Sequence, residues 1–414
     1  MKTILSSILG AVLLGAASLS DAGEIDVMTQ NQYLGADLAP VLAAAMAEYP
    51  DPDTANEAIN AAFVEALKKI AAARPAERAR ALAAEIAQRN PDVVGLQEAF
   101  KFGCTPYPDV PPMPGMGCDD PVVKDAFTDH LQNTEAALKG KYHVAGQVIN
   151  LKVDGIPFVV NGYPAVLSIA DRDAILVRTG LPAQNVNFPC PKPSDKGCNY
   201  VTAPEPLVLE IPGPPPVTIT IALERGFLAV DVTIKGQAYR VFNTHLEQRL
   251  LAPNQLESRF LQVGQAYELL GAALTTWNRW DGLSKTVIVL GDMNSDPRDT
   301  IPVPPYPEYL PPPFPPMLPV ITPYAIFTSN GFTDTWTLRP HDDSGLTCCQ
   351  TEDLSNRRTE SYERIDMIFS LTAPSLVLNM NLLGNTMGDK TRPPGNGGLW
   401  PSDHNGLAAK LKYN

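Results

Sequence analysis

Apolar positions along the chain alternate between two periods, and the changes of period mark the elements. Ile25 to about Gln30 reads as a strand that runs into Asn31, Gly35 and Asp37. A helical period follows: Leu38, Val41, Leu42, Ala45 and Met46 share one face, and Ile59, Phe63, Leu67 and Ile70 share that of a second helix. Pro75 suits the first turn of a third helix, with Leu82 and Ile86 inward, and Asn90-Pro91 stops it. The stretch DVVGLQE returns to strand. Segments 217–223, 227–234 and 237–245 read as further strands. A long helix follows, on whose face Leu256, Phe260, Val263, Tyr267, Leu270, Leu274 and Trp277 recur. Thr286 to Leu290 is apolar or β-branched without polar alternation, the pattern of a strand buried on both faces. Residues 237–291 therefore predict a strand–helix–strand crossover.

Two features change this picture of an α/β body. The amino terminus has Lys2, an apolar run from Ile4 to Ala17, and Ser20 and Ala22 placed for a cut after Ala22. It reads as a secretory signal peptide over 1–22, too short for a membrane span of about 20 residues. The expected mature protein is soluble and exported, secreted or periplasmic. Proline is the second feature. Eleven prolines lie between 301 and 323, and 106–118 and 211–217 are shorter versions. No helix or central strand holds such runs. Residues 23–414 thus predict one domain with insertions near 41–90, 101–125, 189–216 and 301–323.

The net charge of −13 disfavours nonspecific capture of polyanions. Export permits disulfides. Cys104 and Cys118 bracket one loop and Cys190 and Cys198 another, so local pairing is the simplest arrangement. For the adjacent Cys348 and Cys349, a mutual bridge, free thiols and pairing elsewhere all stay open.

Chemistry gathers where buried strands end. Asn31, Gln97-Glu98, Thr244-His245, and Asp292 with Asn294 each follow a strand. Asp366 stands inside the apolar YERIDMIF, and Asp403-His404 precedes a last strand. Each has a bland reading: Glu98 as a helix cap, His245 as a satisfied half-buried histidine, Asp366 as the partner of Arg364, GDMN as a turn. Together they are harder to dismiss, because a lone buried carboxylate is costly and strand ends are where α/β crevices form. An oxygen-rich set suits a hard ion such as Mg²⁺. Asp292 and Asn294, two apart, would share a face if strand geometry persists, and Gly291 would let backbone approach closely.

The stretches TQNQYLG, DVVGLQE, VFNTHLE, VLGDMNSDP, RIDMIF and PSDHNG, in this order, resemble the endonuclease/exonuclease/phosphatase superfamily. TCCQTEDLSN and NQYLGADL are similar to a secreted bacterial branch of it. The resemblance spans Asp26 to Leu411. It implies a two-sheet mixed α/β sandwich with outer helices, in four layers, and a metal-dependent hydrolase. It implies Glu98 as the main Mg²⁺ ligand, with Asn31 close by and Asp403 near the metal; Mn²⁺ is an alternative ion. Asp292 would orient or deprotonate the attacking water, and Asn294 would hold a phosphate oxygen. His404 would pair with Asp366, and His245 would donate to the phosphate or leaving group. Arg225 resembles a position near the family's site. A site tyrosine of some nucleases has no match here.

The expected activity is hydrolysis of a phosphodiester, in a nucleic acid or in a phospholipid such as sphingomyelin. The 301–327 region and Trp400 would allow transient contact with a membrane surface. The alternatives are a phosphomonoesterase of the inositol-phosphatase type and an inactive binding protein on the same fold. No obligate protein partner is expected.

Overall fold

A computed structural model describes residues 23–211, 217–249, 255–278, 286–299, 321–340, 343–392 and 397–414. The signal segment and nearly all of the proline-rich 301–323 stretch lie outside them. In chain order come β1 (Glu24–Asn31), α1 (Ala39–Met46), α2 (Pro52–Ala72), α3 (Pro75–Arg89), β2 (Val93–Gln97) and β3 (Lys101–Pro106). Then follow α4 (His130–Ala137), β4 (Tyr142–Val160), β5 (Tyr163–Arg178), β6 (Ala183–Asn185), β7 (Lys192–Ser194) and β8 (Gly197–Asn199). Next are β9 (Leu207–Ile211), β10 (Val217–Ile221), β11 (Gly226–Ile234), β12 (Gln237–His245), α5 (Gln255–Asn278) and β13 (Thr286–Asp292). The last are α6 (Pro323–Ser329), β14 (Thr333–Asp334), β15 (Asp366–Ser370), β16 (Leu376–Leu383) and β17 (Gly406–Lys412).

Two mixed sheets face each other. The first runs β16-β17-β1-β2-β5-β3, with β4 also on β5; the second runs β14-β15-β13-β12-β11-β8-β7, with β6 also on β11. β9 and β10 form a separate ribbon. Strands alternate their side chains, so each sheet has an inner and an outer face. Val27, Val93 and Ile175 of the first sheet meet Val230, Val241 and Ile288 of the second in one buried core. Outside the first sheet, Met28, Val94 and Leu96 pack on Leu82 and Ile86 of α3. Outside the second, Phe242, Val289 and Phe369 pack on Ala266, Leu269 and Ala273 of α5. This is the expected four-layer sandwich. The crossover is present too, since β12 and β13 pair in parallel from Tyr239↔Thr286 to His245↔Asp292.

Several details differ from the sequence reading. The buried face of α5 includes Ala266, Leu269, Leu270 and Ala273, whereas Tyr267 is exposed. Small alanines let the helix sit close to the sheet, so the larger side chains do not all define its inward face. Within 41–90, α2 covers the β4–β5 hairpin through Phe63, Leu67 and Ile70, and α3 covers the first sheet. The long β4–β5 hairpin itself was not foreseen. Trp400 is 1 % exposed, its indole N–H donates to the Asn356 carbonyl, and Lys390 covers its ring. It is therefore core and has no face for a membrane. Cysteines 104 and 118, 190 and 198, and 348 and 349 are joined as disulfides.

One polar contact ties the sheets together. The Asn243 amide of β12 donates to the Leu96 and Ala174 carbonyls of the opposite sheet, and its oxygen accepts from Gln97 at 2.6 Å. A Cβ on Gly95 would meet that oxygen at 2.4 Å. The glycine in DVVGLQE makes room for this bridge.

Candidate active site

The ends of β1, β2, β12 and β13, the start of β15 and the approach to β17 meet at one edge of the sandwich. The first sheet supplies Asn31, Glu98, Asp403 and His404. The second supplies His245, Asp292, Asn294 and Asp366. All eight residues singled out in the sequence fall in this region.

Asp292 is the centre. Its Oδ2 accepts from Asn31 Nδ2 at 3.2 Å and lies 3.4 Å from His245 Nε2 and 3.8 Å from His404 Nε2. Its Oδ1 accepts the backbone N–H of Asn294 at 2.9 Å. Burial, reinforced by Asp366, raises the Asp292 pKa to about 7. The GDMN turn is thus built around this carboxylate. Gly291 has φ +147°, and a Cβ there would sit 2.1 Å from the Thr244 carbonyl oxygen, so neighbouring backbone does approach closely.

Asn294 departs from the expected shared strand face. β13 ends at Asp292, and Asn294 turns into the left-handed region with φ +47°. The carboxylate-to-amide bond from Asp292 closes this turn and outweighs continued extension. Asn294 reaches the histidine by another route: its Nδ2 is 3.1 Å from His245 Nε2 and donates to the Leu246 carbonyl at 2.9 Å.

Asp366 is the first residue of β15, directly opposite Asp292 in register, not inside the strand. Arg364 pairs instead with Asp334 at 2.6 Å. Asp366 Oδ2 holds His404 Nδ1 at 2.8 Å. Burial opposes charge on His404, but Asp366, Asp403 and Asp292 together raise its pKa well above the ordinary value. These carboxylates favour its imidazolium form.

His245 is set the other way. Arg225 Nη1 lies 3.0 Å from its Nδ1. A guanidinium only donates, so Nδ1 accepts and the ring's proton sits on Nε2, toward Asp292. Burial, Arg225 and His404 push the His245 pKa well below normal. The two histidines are therefore shifted in opposite directions.

Glu98 follows β2 with φ +52°, a strained conformation that ends the strand and turns the carboxylate inward. It caps no helix. Its Oε1 accepts from Asn31 Nδ2 at 3.0 Å and its Oε2 from the Leu34 N–H at 3.1 Å. Burial and then Asp403 raise the Glu98 pKa, and burial likewise raises that of Asp403. Both keep partial exposure, while Asn31, His245, Asp292, Asp366 and His404 are buried. Asp292, Asp366 and His404 also offer ligand atoms within 4.8 Å of one another.

Several neighbours escaped the sequence reading. Buried Arg78 of α3 donates to the Gln32, Tyr33 and Pro401 carbonyls, so it joins the loop after Asn31 to the loop before Asp403. Burial lowers its pKa to about 10. Asp171 and Asp173 on β5 face the break between β2 and β3, where the Ala99 N–H reaches the Arg172 carbonyl. Arg225 lies 3.8 Å from both Asp171 and Glu247. The DRD triplet in an apolar strand was the available signal.

No known family profile matches the chain, and no curated protein does. Solved structures do match. An endonuclease/exonuclease/phosphatase family protein from Bacteroides thetaiotaomicron is 15 % identical at a TM-score of 0.48, covering 95 % of this chain and 96 % of its own. A mannosyl-6-phosphatase of the same organism is 16 % identical at 0.47, covering 94 % and 99 %. Truncated Caenorhabditis elegans TDP2 is 14 % identical at 0.44, covering 94 % and 98 %.

Proposed function

We propose that the protein is a divalent-metal-dependent hydrolase of phosphoester bonds, acting on phosphodiesters, and that it is exported. The observation that carries the reading is the convergence of Asn31, His245 and His404 on one carboxylate oxygen of Asp292, with Asp366 holding His404 from behind.

Glu98 and Asp403 fit a hard cation. They are oxygen donors with partial exposure, and burial raises the pKa of each, a cost that a bound cation would offset. They would hold the ion, with Asn31 beside them. When bound, it would polarise a phosphoryl oxygen and offset developing charge. The chain's own groups do the rest. Asp292, with its pKa about 7, takes a proton from a water placed in line with the phosphorus. Asn31 and the Asn294 N–H fix its orientation. The charged His404 stabilises negative charge on the phosphate or leaving oxygen. The neutral His245 donates from Nε2, and Arg225 at Nδ1 positions it.

The disulfides between Cys104 and Cys118 and between Cys190 and Cys198 support an oxidising destination. No helix among the described residues is long and apolar enough to cross a membrane. Purified protein with Mg²⁺ should hydrolyse bis(p-nitrophenyl) phosphate faster than p-nitrophenyl phosphate. The reverse order would make it a monoesterase. Activity on neither would leave the inactive binding protein. Plasmid DNA, RNA, sphingomyelin vesicles and inositol phosphates then separate the natural substrates.

A further inference from the structure

The adjacent cysteines lie against the site. Cys348 bridges both Glu363 and His404. Gln350 donates its N–H to the Asp403 carbonyl at 2.8 Å, and Asn405 donates to Thr347 at 2.7 Å. The segment that carries the cysteines is thus laced to the segment that carries His404. The two sulfurs and a ring nitrogen of His404 all lie within 4.8 Å of one another. Cys348 and His404 are buried and Cys349 is half-buried.

Joined as a disulfide, the sulfurs are poor ligands. Reduced, the same atoms are two thiols and an imidazole, a soft-ion donor set. Ligand atoms around a tetrahedral Zn²⁺, bound at about 2.0–2.3 Å, stand roughly 3.5–4 Å apart. Opening the disulfide frees the two sulfurs to separate toward that spacing, with the His404 ring already within 4.8 Å of both.

We propose that reduced Cys348 and Cys349, with His404, form a binding site for a thiophilic divalent cation such as Zn²⁺ or Cd²⁺. It is chemically the opposite of the oxygen set at Glu98 and Asp403. A dithiol supplies the two electrons: its two S–H bonds break, their protons and electrons pass to the cysteine sulfurs, the Cys348–Cys349 bond opens, and the reductant closes into its own disulfide. The incoming cation displaces the two thiol protons and the Nε2 proton of the His404 ring, whose Nδ1 stays on Asp366. It also occupies the imidazole that the hydrolytic site uses, so filling the site stops turnover. Only this last consequence rests on the proposed function; cation binding does not.

The test uses the full chain, reduced with excess dithiol without oxygen, freed of reductant and titrated with Cd²⁺. The comparator is the Cys348→Ser/Cys349→Ser double variant, which keeps the other four cysteines. The expected result is one extra Cd²⁺ per wild-type chain, with a stronger ultraviolet thiolate-to-cadmium band. His404→Ala should keep the band and bind Cd²⁺ more weakly. Zn²⁺ added to the reduced wild type in Mg²⁺ should lower phosphodiester turnover at least about tenfold, below the usual cost of losing an acid–base group. The oxidised protein should not respond. Equal Cd²⁺ uptake by wild type and double variant overturns the site. Unchanged affinity in His404→Ala removes the imidazole from it. A protein that binds the extra Cd²⁺ but hydrolyses no phosphoester keeps this site and loses only the hydrolase reading.

Discussion

Asp292 and Asp366 stand directly opposite one another across the antiparallel β13–β15 pair, and His404 lies 2.8 Å from the second and 3.8 Å from the first. One imidazolium thus faces two buried carboxylates. Asp292→Asn keeps size and hydrogen bonding while removing the charge. His404→Ala removes the cation. Each should lower turnover by at least about 100-fold, within the 10²–10⁴ range of acid–base groups. Melting temperature should change little for Asp292→Asn. The double variant should lose less than the product of the single losses, because both groups serve one transition state. A folded Asp292→Asn protein with near-normal turnover would refute the assignment.

Chelation tests the oxygen set. Excess EDTA should abolish hydrolysis, and Mg²⁺ or Mn²⁺ should restore it. Glu98→Gln should raise the Mg²⁺ concentration needed for half-maximal activity. Full turnover in EDTA would remove the metal from the mechanism.

Gly291 tests the mount. Its φ of +147° and the Thr244 carbonyl 2.1 Å from an added Cβ leave no space, and the obstacle is backbone. Gly291→Ala should cost about 2 kcal/mol or more of stability, as strained glycine sites do. Urea unfolding reads this directly. An unchanged midpoint would mean that the β12–β13 approach relaxes freely.

Glu85 on α3 gives a pH test far from the chemistry. It is buried, and neither carboxyl oxygen has a hydrogen-bond partner among the described residues. Burial, with Asp389, raises its pKa well above the usual value. The folded state therefore holds the proton more tightly than the unfolded one. Stability from this group is full below its unfolded pKa of about 4.3 and is lost as pH rises through the higher folded value. Glu85→Gln does not titrate. Its melting temperature should gain on wild type as pH rises, with the smallest gap in acid. A gap independent of pH would show that Glu85 is paired or hydrated.

The strands and their terminal polar residues were legible because burial on both faces leaves an unbroken apolar run, and a carboxylate at its end has no bland partner nearby. β12, β13 and the positions of His245 and Asp292 followed from that rule. Other features depend on contacts that spacing does not encode. Asn294 takes a left-handed turn because Asp292 captures its N–H. Arg78 looks like a surface residue of a helix until the carbonyls of two distant loops close on it. Cys348 meets His404 across 56 positions of chain, a separation only the fold removes. Trp400 sits beside the site in sequence, yet its indole belongs to the core. The β4–β5 hairpin alternates too irregularly to be read, because bulges near Val144, Ile149 and Val153 break its period.

The Asn243 bridge joins two sheets that each carry half of the site. Glu98 and Asp403 ride on one sheet, and Asp292 and Asp366 on the other. A chain that has formed either sheet alone holds half of the reacting groups and no cleft. The eight side chains therefore meet only when both sheets are in place, so the site is a product of the tertiary fold and of neither sheet alone.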